Sequence, residues 1–482
     1  MPTHVPRFAH RAQSPAWYWG RLVLLLVACA SGCATYDNRL TKIREAFSTG
    51  DIDGAYSAID SGSKHWGGND HDVLKLERAV VDLAAGKPQD AEHELREVRD
   101  RFDALEGPAL GEKALSMLTD ANRKAYAGED YEKVLIRAFL AISNLMGSGE
   151  DANAYALQVA DKQQQIILAG ADAEGKNPKL SYKGVAMGAY VHGLLREETH
   201  SNFDDVERCC TLVCNWEPQF PYGQTDLDRA KHGHHSAPGN GVLYVFTLVG
   251  VGPHKEETAE IASTVSLLIA DQILSAIGPQ TLPPTIAPVK VPKVVVTPND
   301  VTSIGVAVDS RPAGRTATIT DIGRMAVEQY DAIYPRVIAE AVVRRVVKKA
   351  VIFGAKEAMG TAKDSWAGLG LDLLGIAWEA TEAADTRCWG LLPDKIQVLR
   401  LELPAGQHTV NLQSLGATGY PLGHMATQQV TIINGRNTYM LANYPYYNVV
   451  GQILTSQQPT PPPISSQGNG ESKQSARPTT VR

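Results

Sequence analysis

From residue 36 to 168, apolar positions recur every three or four residues. The periodicity breaks at Gly50-Asp51, Gly86-Lys87, Gly128-Glu129 and Gly149-Glu150. This spacing predicts amphipathic helices joined by short glycine turns. Val185–Glu197 continues the helical pattern, and residues 202–240 then read as loop. After the turn signal Pro238-Gly239-Asn240-Gly241 comes an unbroken apolar run, Val242–Val249, rich in β-branched and aromatic residues. It reads as a buried strand ending at Gly250-Val251-Gly252-Pro253. Glu256–Ile277 reads as an apolar helix packed on that strand.

Pro279, Pro283, Pro284, Pro288, Pro292 and Pro298 then punctuate a linker-like stretch, inside which Val294-Val295-Val296 has the character of an edge strand. Short strands are expected at Ile304–Val308 and Thr316–Thr320, followed by a helix from Arg336 to about Phe353 with Pro335 at its start. Near the C-terminus, clean alternation in Ile396–Leu403 and His408–Leu415 surrounds Pro404-Ala405-Gly406-Gln407. The pair Gln428–Ile433 and Arg436–Leu441 surrounds Asn434-Gly435, and both pairs read as hairpins.

These elements give an α+β fold. An N-terminal helical-repeat array is followed by a mixed region and a small C-terminal β-sandwich-like domain. The first two glycine turns lie 36 residues apart, close to the roughly 34 of a tetratricopeptide repeat, although later spacings drift. Ala55, Ala91 and Ala152 follow the turns where paired helices approach closely, and Tyr126, Tyr131, Phe139 and Leu140 supply bulk. A stacked array presents a concave face suited to a peptide or protein; a plain helical bundle without such a groove is the alternative. The expected organisation is a signal segment 1–32, the array 33–200, a Cys/His loop with a strand-helix unit 201–278 and the Pro-rich linker 279–299. A mixed region 300–395, the hairpins 396–455 and a disordered tail 456–482 complete it.

The first 32 residues change the picture. Arg7, Arg11 and Arg21 precede the apolar run Leu22–Ala28, and Ala30-Ser31-Gly32 leads to Cys33, with no acidic residue before Asp37. This is an export signal of the bacterial lipoprotein kind, too short for the roughly 20 residues of a spanning helix. Cys33 is the expected acylation site; Leu26-Val27-Ala28-Cys29 offers a competing one. Without residues 1–32 the chain has 450 residues, with 43 basic and 53 acidic side chains. A net charge of −10 argues against nucleic acid, which needs a concentrated basic face.

Chemistry-bearing residues cluster between 209 and 235. Cys209, Cys210 and Cys214, with His232, His234 and His235, are ligand types for zinc or copper, but their spacing matches no zinc motif. In an oxidising compartment, disulfides within the loop or to Cys388 are the expectation, and a metal site is the alternative. Gly250-Val251-Gly252-Pro253-His254-Lys255 has the position of a phosphate loop without its Gly-Lys-Ser/Thr ending, and Pro253 removes a donor. Arg336, Arg344, Arg345, Lys348 and Lys349 form a basic helix face, either solvated or turned to anionic lipid or cell-wall polymer. No recognisable nucleophile-base arrangement occurs, and no cofactor is implied.

Three segments together resemble a family of bacterial envelope lipoproteins of unassigned activity. They are Tyr126-Ala127-Gly128-Glu129-Asp130-Tyr131-Glu132-Lys133-Val134, Gly250-Val251-Gly252-Pro253-His254-Lys255-Glu256 and Ala384-Asp385-Thr386-Arg387-Cys388-Trp389. The resemblance implies N-terminal repeat helices and a mixed C-terminal part, and it brings no catalytic residues. Asp385, Arg387 and Trp389 read as a buried ion pair beside an indole, pinning helices to the β part, or as a recognition patch. By similarity to Gram-negative lipoproteins, Ala34 after the modified cysteine implies the outer membrane. The expected function is a lipid-anchored interaction scaffold in outer-membrane or peptidoglycan assembly, its helical array holding an envelope protein or peptide. A metal-binding protein centred on 209–235 and an enzyme acting on cell-wall glycan are the alternatives.

Overall fold

The structure, a computed structural model, describes residues 36–106, 125–172, 175–277, 280–358 and 383–456. The signal segment with Cys29 and Cys33, the glycine-containing segment 367–380 and the tail from 457 lie outside the described residues. The chain is mixed α+β, with eleven α-helices and three sheets among the described residues.

Helices α1 (Tyr36–Ser48), α2 (Ile52–His65), α3 (His71–Ala84), α4 (Pro88–Leu105), α5 (Asp130–Met146), α6 (Ala152–Leu168) and α7 (Ala186–Glu197) each touch the next. The glycine turns separate them as the pattern predicts; Asp51 caps α2 by accepting from Gly54 N–H at 2.9 Å. Helix α5 is buried almost all round, because α4 and α6 flank it and the sheet lies beneath.

Where the sequence suggested a loop at 202–240, two further helices form: α8 (Phe203–Trp216) and α9 (Gly223–Lys231). Their signal is thin. On α8 only Val206, Cys209 and Val213 are buried, one narrow stripe in a polar sequence.

Strand β1 (Asn240–Val249) is the centre of the molecule. It pairs in parallel with β10 (Asn437–Tyr444) and antiparallel with β7 (Lys395–Pro404), in a sheet ordered β11-β10-β1-β7-β6. The outer strands are β11 (Val450–Thr455) and β6 (Ala317–Asp321). One face, with Val242, Tyr244, Phe246, Leu248, Ile396, Val398, Tyr439 and Leu441, packs against the helices. The other face, with Leu243, Val245, Val249, Leu399, Met440, Ala442 and Tyr444, packs on a four-stranded sheet. Burial on both faces explains the unbroken apolar run. Each such side chain contributes about 1.5–3 kcal/mol.

The four-stranded sheet has the order β5-β4-β8-β9, from β4 (Ser303–Val308), β5 (Arg311–Arg315), β8 (Gly406–Leu415) and β9 (Pro421–Ile432). Neither expected C-terminal hairpin closes as a ladder. Across Ala405 the chain leaves the five-stranded sheet for the four-stranded one, and across Asn434-Gly435 it returns. Turn chemistry was legible, but the strands flanking each turn belong to different sheets: β7 pairs with β1 and β6, β8 with β4 and β9, and β10 with β1 and β11.

Three more expectations are corrected. Glu256–Ile277 is not one helix: β2 (His254–Glu260) precedes α10 (Thr264–Ile277). The stretch expected as linker contains β3 (Val289–Val295), which pairs antiparallel with β2 along its length. The helix begins well before Pro335. Helix α11 runs Ile322–Ala358 with Pro335 inside it, so burial of Ile322, Ala326 and Tyr330 outweighs an interior proline's cost of about 3 kcal/mol. Among the described residues, no helix is long and apolar enough to cross a membrane.

Candidate functional site

Three segments, 126–134, 250–256 and 384–389, each more than a hundred residues from the next, meet at one place. Glu129 and Glu132 form a capping box at the start of α5, with Glu132 accepting from Glu129 N–H at 3.0 Å. The same Glu132 accepts from the Tyr126 hydroxyl at 2.5 Å and from Trp389 N–H at 2.7 Å. From the second segment, Lys255 donates to Glu129 at 2.5 Å, and Gly252 N–H donates to Leu392 O at 2.7 Å. From the third, Arg387 makes a two-pronged pair with Asp385 at 2.9 and 2.7 Å and reaches Asp70 at 3.4 Å. The Arg387 guanidinium also lies 5.3 Å over the Tyr126 ring.

Residues 383–394 thus form a strap along the inner side of the helices. Trp389 is fully buried against Phe139, with ring centroids 5.1 Å apart. Beyond it, Gly390 N–H and Leu391 N–H both donate to Glu77 on α3 at 2.7 Å. Of the expected recognition residues, Arg387 and Trp389 are buried and engaged, in the arrangement of a pin between helices and sheet. Gly252 has to be glycine, because a Cβ there would sit 2.5 Å from Leu392 O and 2.9 Å from Pro393 O.

Electrostatics follow from burial. Burial pushes the Glu77 carboxyl up to about 7 against the pull of the two N–H groups and Arg44. Burial, reinforced by Glu129, also raises Glu132. Burial pulls the Lys255 ammonium down, but the Glu129 and Asp385 carboxylates override it and leave it raised.

Beside the strap lies a cavity of about 260 Å³, bounded by α1, the ends of β1 and β10, the Gly250–His254 turn and residues 390–393. Phe47, Val80, Leu248, Leu392 and Tyr446 form its apolar wall, and Thr41, Arg44, Ser48, His254 and Asn443 its polar one. Alternation on β10 puts Asn443 on the same helix-facing side as Tyr439 and Leu441. Asn443 is 3% exposed, and its Nδ2 has no hydrogen-bond partner among the described residues. The Gly250-Val251-Gly252-Pro253 turn therefore borders a real concavity, though it leads into β2 and not a helix.

The Cys/His residues are not brought together as a metal site. No group of three or more His, Cys, Asp or Glu among the described residues stands close enough to hold an ion. Adjacent Cys209 and Cys210 diverge by about 100° on α8. Cys209 packs on Gly193 of α7, while Cys210 faces Asp226 and Arg229 of α9. His235 bonds Asn437 and Ser236, both at 2.9 Å, and His232 bonds Asp228 O at 2.6 Å; His234 lies on the turn after α9. The expected disulfides do not form either: Cys209, Cys210, Cys214 and Cys388 are free thiols. Burial pushes the Cys209 thiol up to about 11 and Cys388 up to about 12, which keeps both protonated and unreactive.

On the basic face of α11, Arg336 pairs with Glu340 at 3.1 Å and Arg345 donates to Pro288 O at 2.8 Å. Sequence reasoning missed Glu77 and Asn443. Both left a trace, since each is a polar residue at an apolar-periodic position: Glu77 among Val73, Leu76 and Val80, Asn443 after Tyr439 and Leu441. No family model matches the chain, and neither the curated proteins nor the solved structures contain a match.

Proposed function

We propose that this chain is a non-enzymatic, lipid-tethered protein of the bacterial envelope, acting as an interaction scaffold in outer-membrane or peptidoglycan assembly. Acyl chains on Cys33 hold it at the periplasmic face of the outer membrane; each buried methylene adds about 0.8 kcal/mol, and several chains make the attachment stable. Helices α1–α7 are read as a degenerate tetratricopeptide-like array and the two facing sheets as a small sandwich. The array does not hold its partner in an open groove, because the strap and the five-stranded sheet pack there. The partner segment enters instead at the cavity beside α1, a helix that begins three residues after Cys33.

One observation carries this reading: the buried, unpartnered Asn443 amide in the wall of a half-apolar cavity. A buried donor without an acceptor costs about 1–3 kcal/mol, and a partner's carbonyl or carboxylate would satisfy it. The test compares wild type with Asn443→Leu in pull-downs from solubilised envelopes, with melting curves showing both folded. Loss of a specifically recovered protein is expected, and equal recovery overturns the partner reading. Deleting the helices would instead strip one face of the sheet. The tether is tested separately by labelled fatty acid, which should attach to wild type and not to Cys33→Ser; an unlabelled wild-type product found in the cytosol overturns it.

A further inference from the structure

A second cleft, of about 550 Å³, opens on the opposite side of β6, between the start of α7, the end of α8 and the first turns of α11. Its size falls within the roughly 300–1,000 Å³ of small-molecule sites. Trp216 and Tyr182 supply aromatic surface, and the chain passes close beside the indole because residue 184 is glycine.

Both cations of this cleft are paired from within: Glu217 with Arg324 at 2.6 Å and Lys183 with Glu328 at 3.5 Å. Asp321 caps α11 by accepting from Arg324 N–H at 2.9 Å, and Asp331 adds a further carboxylate to the lining. Two neutral side chains add to the polar wall. Thr320 and Gln329 are each 5% exposed, yet Thr320 Oγ1 and Gln329 Oε1 have no hydrogen-bond partner among the described residues. Two orphaned polar atoms in one cleft call for an explanation.

We infer that this cleft binds a neutral acetamido sugar, as found in amino-sugar glycans. An acetamido group supplies an N–H for Gln329 Oε1 and a carbonyl for the Thr320 hydroxyl. The sugar ring has an apolar face for Trp216 and hydroxyls for the carboxylate oxygens at the rim. An anionic ligand would meet the Asp321 and Asp331 carboxylates. The site shares no residue with the cavity beside α1 and does not depend on Cys33.

The test is calorimetric titration of the full mature chain in detergent with β-1,4-linked N-acetylglucosamine tetramer, and with the glucose tetramer that lacks the acetamido groups. Saturable binding of the first, at least tenfold tighter than the second, is expected. Thr320→Val and Gln329→Leu should each weaken it at least tenfold while the melting temperature holds or rises, because each variant removes an unsatisfied buried polar atom. Failure of the N-acetylglucosamine tetramer to saturate, equal affinity for both tetramers, or binding undiminished in both variants overturns the assignment. So does a fall in melting temperature in both variants, which would give the two side chains a structural role.

Discussion

Glu77→Gln isolates the carboxylate that holds the strap to α3. In the wild type, Oε1 accepts from Gly390 N–H and Oε2 from Leu391 N–H within a fully buried site. Burial raises the carboxyl from 4.5 to about 7. Between those values the folded protein keeps a proton that the unfolded chain has released. Stability therefore falls as pH rises through this window and levels off above about 7, a loss of about 3 kcal/mol from this group. Gln cannot titrate, and its NH2 opposes one strap N–H, which costs about 1 kcal/mol. The variant should be slightly the less stable near pH 5 and more stable by about 2 kcal/mol near pH 8. Urea melts of both chains across that range, followed by circular dichroism, give the difference directly, with other titrating groups largely cancelling. Parallel curves would refute the assignment of the raised acid to Glu77.

Further outcomes follow from the same packing. Arg387→Ala should destabilise by about 3–5 kcal/mol, since it removes a buried guanidinium shared by the half-buried Asp385 and the buried Asp70. An unchanged melting temperature with lost partner binding would make Arg387 a recognition residue instead. Gly252→Ala should cost about 1–3 kcal/mol, because the new methyl meets backbone carbonyl oxygens that cannot yield, whereas Gly67→Ala, with open space around it, should be near neutral in the same melts. Cys209 and Cys388 should resist a thiol reagent at neutral pH until denaturant is added, and rapid modification of the native protein would contradict their burial.

Local chemistry was legible wherever local sequence decides the outcome. Glycine turns marked the ends of α1, α3 and α5 and the start of α5, and the doubly buried β1 announced itself by its unbroken apolar run. What failed was pairing. The strands of β7 and β8 were recognised, and so were those of β9 and β10, but their turns carry no record that β7 and β10 pair with β1 while β8 pairs with β4 and β9. β2 looked helical because its Lys-Glu-Glu-Thr-Ala-Glu sequence favours helix until β3, some thirty residues on, supplies a ladder. At the site, the Asp385–Arg387 pair was visible as two charges beside an indole. Their meeting with Tyr126 and Asp70 is a matter of topology, which no spacing rule encodes. The Cys/His cluster misled for the converse reason, since nearness in sequence on a helix sends side chains to different faces.

The most direct test of the account places a photo-reactive amino acid at Tyr446, on the rim of the cavity beside α1, or at Leu168, exposed at the end of α6. Irradiating intact envelopes should yield a defined protein adduct from position 446 that disappears with Asn443→Leu, and none from position 168. The same adduct from both positions, or one indifferent to Asn443, would contradict it.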